Sequence, residues 1–151
     1  VFSTLHTNTS AGVVTRLADM GIERFLSAAT LRLSAAQRLV RRLCPACRHA
    51  RPMTATEALA LKRPDLTDQT VFDAVGCVAC AGKGYVGRIA LFEMLESNEH
   101  LAGLIASGAS EDALLEQARR CNMSLLFDDG LAKIFDGTTT VREVTSAVTT
   151  W

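Results

Sequence analysis

Ala36-Gln37-Arg38-Leu39-Val40-Arg41-Arg42-Leu43-Cys44-Pro45-Ala46-Cys47 is the stretch on which the fold turns. Its first eight residues satisfy neither the 3.6 period of a helix nor the alternation of a strand. Periodicity therefore leaves open whether the chain reaches Cys44 as a continued helix or as a strand. Its last four residues form a C-x2-C hook, and a second hook, Cys77-Val78-Ala79-Cys80, follows after 29 intervening residues. Two such hooks wrap one cation tetrahedrally, because each presents two thiolates at the turn of a short knuckle and the segment between them closes back. Zinc suits four soft sulfur donors, and four sulfurs leave no position open for water. Cys44, Cys47, Cys77 and Cys80 thus read as a structural site, and the function must be sought elsewhere. A lone cysteine is more often a small core residue, which is the reading for Cys121. His49 reads as a surface histidine, since four sulfurs already complete the shell.

Composition narrows the function classes. The chain has 151 residues and 48% hydrophobic content, enough for one ordinary domain or two small modules. Aromatics are only 5%, which argues against a stacking platform for single-stranded nucleic acid. Lys plus Arg and Asp plus Glu both number 16, so no global field steers polyanions. No apolar run approaches the length of a membrane span, and the N-terminus lacks the basic and apolar regions of a signal peptide. A soluble, cytosolic chain is expected, and five cysteines, four of them in hooks, fit a reducing compartment. Beginning at Val1 in an already strand-like run, the chain reads as cut from something longer.

In order along the chain, Val1 to Leu5 is β-prone and runs into His6-Thr7-Asn8-Thr9-Ser10, a polar turn rich in N-cap residues. A helix follows with Val13, Leu17 and Met20 on its apolar face, stopped at Gly21. A second starts near Glu23 with a stripe of Ile22, Phe25, Leu26, Ala29 and Leu33. Between the hooks, residues 49–70 read as a variable excursion with a short helix near Thr56 to Leu61. After the second hook, Arg88 to Leu95 has the residue types of a strand. Four helical segments close the chain: one capped by Asn98 and ended by Gly108, and one capped by Ser110, with acids in its first turn and arginines in its last. A third runs from about Ser124 to Asp136, and a fourth opens on a Thr140-x-x-Glu143 capping box and buries Val141, Val144 and Val148.

Three further features carry function candidates. Arg38, Arg41, Arg42, Arg48 and Arg51 form a basic run beside the first hook, as in a zinc-ribbon nucleic-acid adaptor; with zero net charge, a solvated or inter-subunit face is the preferred reading. His6 stands at a strand-to-helix junction, where α/β folds often display catalytic groups. Cys77-x-x-Cys80-x-Gly82-x-Gly84 spells the unit of DnaJ-type zinc modules, but the first hook lacks the glycines. No Gly-x-x-x-x-Gly-Lys-Ser/Thr phosphate loop occurs in these residues.

Ser3-Thr4-Leu5-His6-Thr7-Asn8, Thr15 to Gly21, Ala36 to Cys47, and Gly76-Cys77-x-x-Cys80-x-Gly82-x-Gly84-Tyr85-x-Gly87-Arg88 come in the order seen in secretion ATPases. With Asp129 to Lys133 and Gly137-x-Thr139-Thr140-x-x-Glu143-Val144, the chain closely resembles the C-terminal part of the GspE/PilB group, the hexameric motors of type II secretion and type IV pilus assembly. Ser34 and Ala90 stand where members often carry glycine. The resemblance implies an α/β fold: the C-terminal fragment of a RecA-like P-loop ATPase core, with an inserted tetracysteine zinc subdomain and a helical C-terminal tail. Residues 1–43 would be the end of the core, 44–97 the zinc subdomain and following strands, and 98–151 the helical C-terminal subdomain. It favours a strand for Ala36 to Leu43. His6 falls on the family's histidine box, near the γ-phosphate of ATP, and Cys44, Cys47, Cys77 and Cys80 on its zinc ligands. Walker A, the aspartate box, Walker B and the arginines that reach across subunits would lie before Val1, so ATP and Mg2+ belong to the intact homo-hexamer, which engages inner-membrane platform proteins from the cytoplasmic face. The fragment alone would be inactive.

Overall fold

The open question of residues 36–43 resolves as a strand. In the computed structural model, which describes residues 1–148, β1 spans Leu33–Leu43 and pairs with β4, Tyr85–Glu96. Ser97 N–H donates to Arg32 O at one end, and Cys44 N–H to Gly84 O at the other, so the two run antiparallel. Alternation is only partial: Ser34, Ala36 and Val40 are buried on one face, but Arg38 and Arg42 share that parity and Leu43, of the other parity, is buried too, which is why the pattern is blurred in the sequence.

The chain forms two compact units. Residues 1–37 and 92–125 make the first; residues 38–91 and those from 126 onward make the second. The last three positions of the expected tail, 149–151, lie outside the described residues.

The first unit holds α1 (Gly12–Asp19), α2 (Arg24–Thr30), α4 (Glu99–Ser107) and α5 (Glu111–Arg120). Asn98 and Ser110 cap α4 and α5 through their side chains, and Gly108 ends α4 in the left-handed region, as expected. Val14, Leu95, Leu101, Ile105, Leu114 and Ala118 make its core. Two expectations fail here. Val1 to Leu5 forms no strand, because a β-prone run becomes one only against a hydrogen-bonded neighbour, and none of the described strands supplies it. The apolar faces of the first two helices also turn out differently: Val14 rather than Met20 is the buried residue of α1, and Phe25 and Leu26 of α2 are 60% and 45% exposed. Leu33 belongs to β1, not to the second helix.

In the second unit, β2 (Arg48–Pro52) pairs antiparallel with β3 (Thr70–Ala74), with Arg48 opposite Ala74 and Pro52 opposite Thr70. The tip of this hairpin carries α3 (Ala55–Ala60) and a 3-10 turn, Pro64–Leu66. The excursion is therefore an ordered hairpin built on buried Met53, Ala58, Leu61 and Val71. Helices α6 (Leu126–Phe135) and α7 (Val141–Ala147) complete the unit, with Ile134, Val141, Val144 and Val148 buried. The Thr140 cap is half realised: its hydroxyl accepts Glu143 N–H at 3.3 Å, but the Glu143 carboxylate goes to Arg41 instead, at 2.7 Å. A stronger ion-pair partner outcompetes the backbone N–H.

Helices α6 and α7 touch at Gly130, where a Cβ would stand 2.6 Å from Val144 Cγ1. Alanine at 130 would gain about 1 kcal/mol of helix propensity and lose about 1–3 kcal/mol to overpacking against a stiff β-branched side chain. Gly130→Ala is therefore expected to lower stability by about 1 kcal/mol in urea denaturation, and to become stabilising in a Val144→Ala background.

Candidate metal centre

The hairpin brings the hooks together. β2 starts immediately after Cys47 and β3 ends three residues before Cys77, so pairing Arg48 with Ala74 places both hooks at the base of one ladder. The Cys44 N–H to Gly84 O bond, 2.9 Å, ties the first hook to the loop after the second. All four sulfurs lie within 4.8 Å of one another. Three separations are 3.9 Å for Cys44 to Cys77, 3.8 Å for Cys47 to Cys80 and 3.8 Å for Cys77 to Cys80. A tetrahedron with Zn–S bonds of about 2.3 Å has sulfur-to-sulfur edges of about 3.8 Å, so the arrangement fits one four-coordinate soft cation.

The surroundings prepare the sulfurs for that role. Cys77 N–H and Gly84 N–H each donate to Cys80 Sγ at 3.1 Å. These bonds, that from Cys77 first, hold the Cys80 thiol down to about 6 against the effect of its burial. Burial pushes the half-buried Cys47 thiol up to about 12. Four sulfurs this close cannot all carry charge without a cation between them, so a metal entering the cluster displaces protons. Gly84 is required where it stands: its φ is +74°, and a Cβ would meet Ala74 Cβ at 2.7 Å.

Three arginines of the basic run beside the hook have partners within the second unit. Arg41 pairs with Glu143 at 2.7 Å and lies over the Tyr85 ring at 4.1 Å. Arg48 donates to Gly137 O at 2.6 Å and covers the Phe72 ring. Arg51 reaches Glu57 at 2.6 and 2.7 Å and Asp73 at 2.6 and 3.0 Å, holding the N-terminus of α3 to β3. Each is held by a partner in its own unit, but Arg41 and Arg48 remain exposed, as a solvated face requires, and only Arg51 is largely covered. Thr54 and Glu57 close a full capping box on α3. The signal was there to read, as Thr54-x-x-Glu57 three residues after Arg51.

Cys121 is exposed, not a core residue: it is the C-cap of α5, and its sulfur accepts from Asn98 Nδ2 and Gln117 Nε2 at 3.5 and 3.6 Å. His6 is exposed and makes no hydrogen bond or ion pair among the described residues. It lies in the first unit, on the chain that leads into α1, while all four cysteines lie in the second.

A family model described as type II/IV secretion system protein matches residues 1–146. The chain belongs to this family. Its relatives divide between two named systems. The type IV pilus assembly ATPase PilB of Myxococcus xanthus is 46% identical over 147 residues, covering 95% of this chain and 26% of that protein. The type II secretion system protein E of Aeromonas hydrophila is 43% identical over 144 residues, 95% of this chain and 28% of its own length. PilB of Thermus thermophilus is 39% identical over 146 residues, which is 16% of its length. The chain thus spans about a quarter or less of these family members, and the family is the one that the residues from Ser3 to Val144 resemble. No helix among the described residues is long and apolar enough to cross a membrane.

Proposed function

We propose that this chain is the C-terminal portion of a hexameric cytoplasmic ATPase that powers type II protein secretion or type IV pilus assembly. In this reading residues 1–43 end a RecA-like core, 44–97 form a zinc subdomain with its following strands, and 98–151 form a helical C-terminal subdomain. The observation that carries it is the family match over residues 1–146, and the four-thiol cluster supports the zinc assignment. Cys44, Cys47, Cys77 and Cys80 hold a structural Zn2+. The intact motor sits peripherally at the inner membrane face and passes its motion to platform proteins there. A nucleic-acid adaptor has less support, because Arg41, Arg48 and Arg51 are already engaged; a DnaJ-like module has less, because the first hook lacks its glycines.

His6 is the catalytic residue of this portion, placed at the γ-phosphate side of the nucleotide, where an imidazole orients or polarises the reacting groups. Mg2+ bound with ATP supplies neutralisation of the phosphoryl oxygens. With no phosphate loop among residues 1–151, the chain alone is expected to show no ATP turnover. In the intact motor, His6→Ala is expected to lower turnover about 100-fold. Parental ATPase and secretion rates in that variant would remove His6 from the site.

A further inference from the structure

Glu93 is a buried acid that none of these roles uses. It sits in β4 at 3% exposure, between the buried Leu91 and Leu95, where an aliphatic residue would continue the inward face of the strand. Taking a carboxyl group out of water is costly unless hydrogen bonds compensate. Ser10 supplies two of them, donating both its N–H, at 2.7 Å, and its hydroxyl, at 2.6 Å, to Glu93 Oε1. The Ser10 carbonyl in turn accepts the Ser34 hydroxyl at 2.8 Å. Next door, buried Thr9 donates its hydroxyl to Glu111 and accepts Gly12 N–H at 3.0 Å. The turn at residues 9–12 is thus tied to β4, to β1 and to the first turn of α5. Residues 1–7, immediately before it, carry no helix or strand, and His6 stands four positions before Ser10 on that segment.

We propose that Glu93 is a positioning residue for His6: it fixes Ser10, and through Ser10 the stem of the segment that presents the imidazole. This rests on His6 acting at the γ-phosphate, as proposed above. A side chain that must meet a reacting group within a fraction of an ångström needs a rigid stem, and a buried acid accepting twice from one serine supplies it.

The test is a mutant cycle on ATP turnover by the intact motor. Glu93→Leu is expected to lower kcat about tenfold with the KM for ATP changed less than about threefold. Glu93→Gln, which keeps an acceptor oxygen for Ser10, is expected to restore most of that. In a His6→Ala background, Glu93→Leu is expected to add less than about twofold, because no imidazole is left to misplace. Ser10→Ala, which removes one of the two bonds, is expected to lower kcat about threefold and serves if Glu93→Leu does not fold. If His6→Ala is impaired while Glu93→Leu and Ser10→Ala keep parental kcat, or if Glu93→Leu multiplies fully with His6→Ala, the positioning role is overturned and that of His6 stands. Parental turnover in His6→Ala overturns both.

Discussion

Chelation is expected to strip close to one zinc per chain and to unfold the unit built on residues 38–91 and 126–148. A four-thiolate zinc site contributes about 10–16 kcal/mol of apparent binding free energy in small domains, which matches or exceeds the whole stability of a typical domain. Here the cation has few substitutes. Cys44 and Cys80 are buried, the two hooks meet at the base of a five-residue ladder, and crowded sulfurs without a cation cannot all be thiolates. Cys44→Ala and Cys80→Ala are each expected to bring the zinc content near zero and to abolish the cooperative thermal transition of this unit by circular dichroism. Because protons compete for the same sulfurs, zinc is expected to leave as the pH falls. A metal-free protein with an unchanged melting curve would exclude the site.

Arg51→Met is expected to cost about 2–3 kcal/mol at neutral pH, measured by urea denaturation with zinc present. Methionine keeps most of the packing of the stem and removes the fork that Glu57 and Asp73 share. The side chains of Arg51 and Glu57 are only 26% and 25% exposed, so solvent screens this pair less than an ordinary surface bridge. Hydrogen bonds from Arg51, helped by Thr54, hold the Glu57 carboxyl down to about 2. A carboxyl held low in the folded state contributes stability that is full above its unfolded value, about 4.3, and is lost as the pH falls towards 2. The Glu57 side-chain carbon shift is therefore expected to stay flat from pH 7 to pH 4 in the parent, and to titrate over that range in Arg51→Met. Titration of Glu57 near its ordinary value in the parent would show that the clamp is absent in solution.

Several parts of the molecule were legible because their physics is local. A cap is an oxygen three residues from the N–H it satisfies, so Asn98, Ser110 and Thr140 announced their helices, as Gly21, Gly108 and Gly137 announced helix ends. Two C-x2-C hooks announce a four-sulfur cluster for the same reason, since the spacing within each hook sets the bite of a tetrahedral ligand pair. Thr54-x-x-Glu57 is equally local, and its capping box opens α3.

Other parts depended on what stands opposite. Whether Glu143 closes a capping box or bridges to Arg41 is settled by which donor reaches it. The arginines beside Cys44 carry the same charge whether they face solvent, a polyanion or a buried carbonyl, so composition could not place Arg48 against Gly137 O or Arg51 between two acids. Cys121 follows the same rule, since a cysteine's burial is decided by its neighbours and not by its own chemistry.

From the residues alone came the hooks and the metal they suit, the caps and stops of the helices, and the family, through motifs that keep their order from Ser3 to Val144. Only the tertiary structure decided that residues 36–43 are a strand, since a strand exists by virtue of its partner, here β4. It alone revealed that α4 and α5 join the first unit while α6 and α7 join the one with the four clustered cysteines, and that a buried Glu93 reaches back across 83 positions to Ser10. Such pairings are contacts between residues far apart in the chain, and no local period or spacing records them.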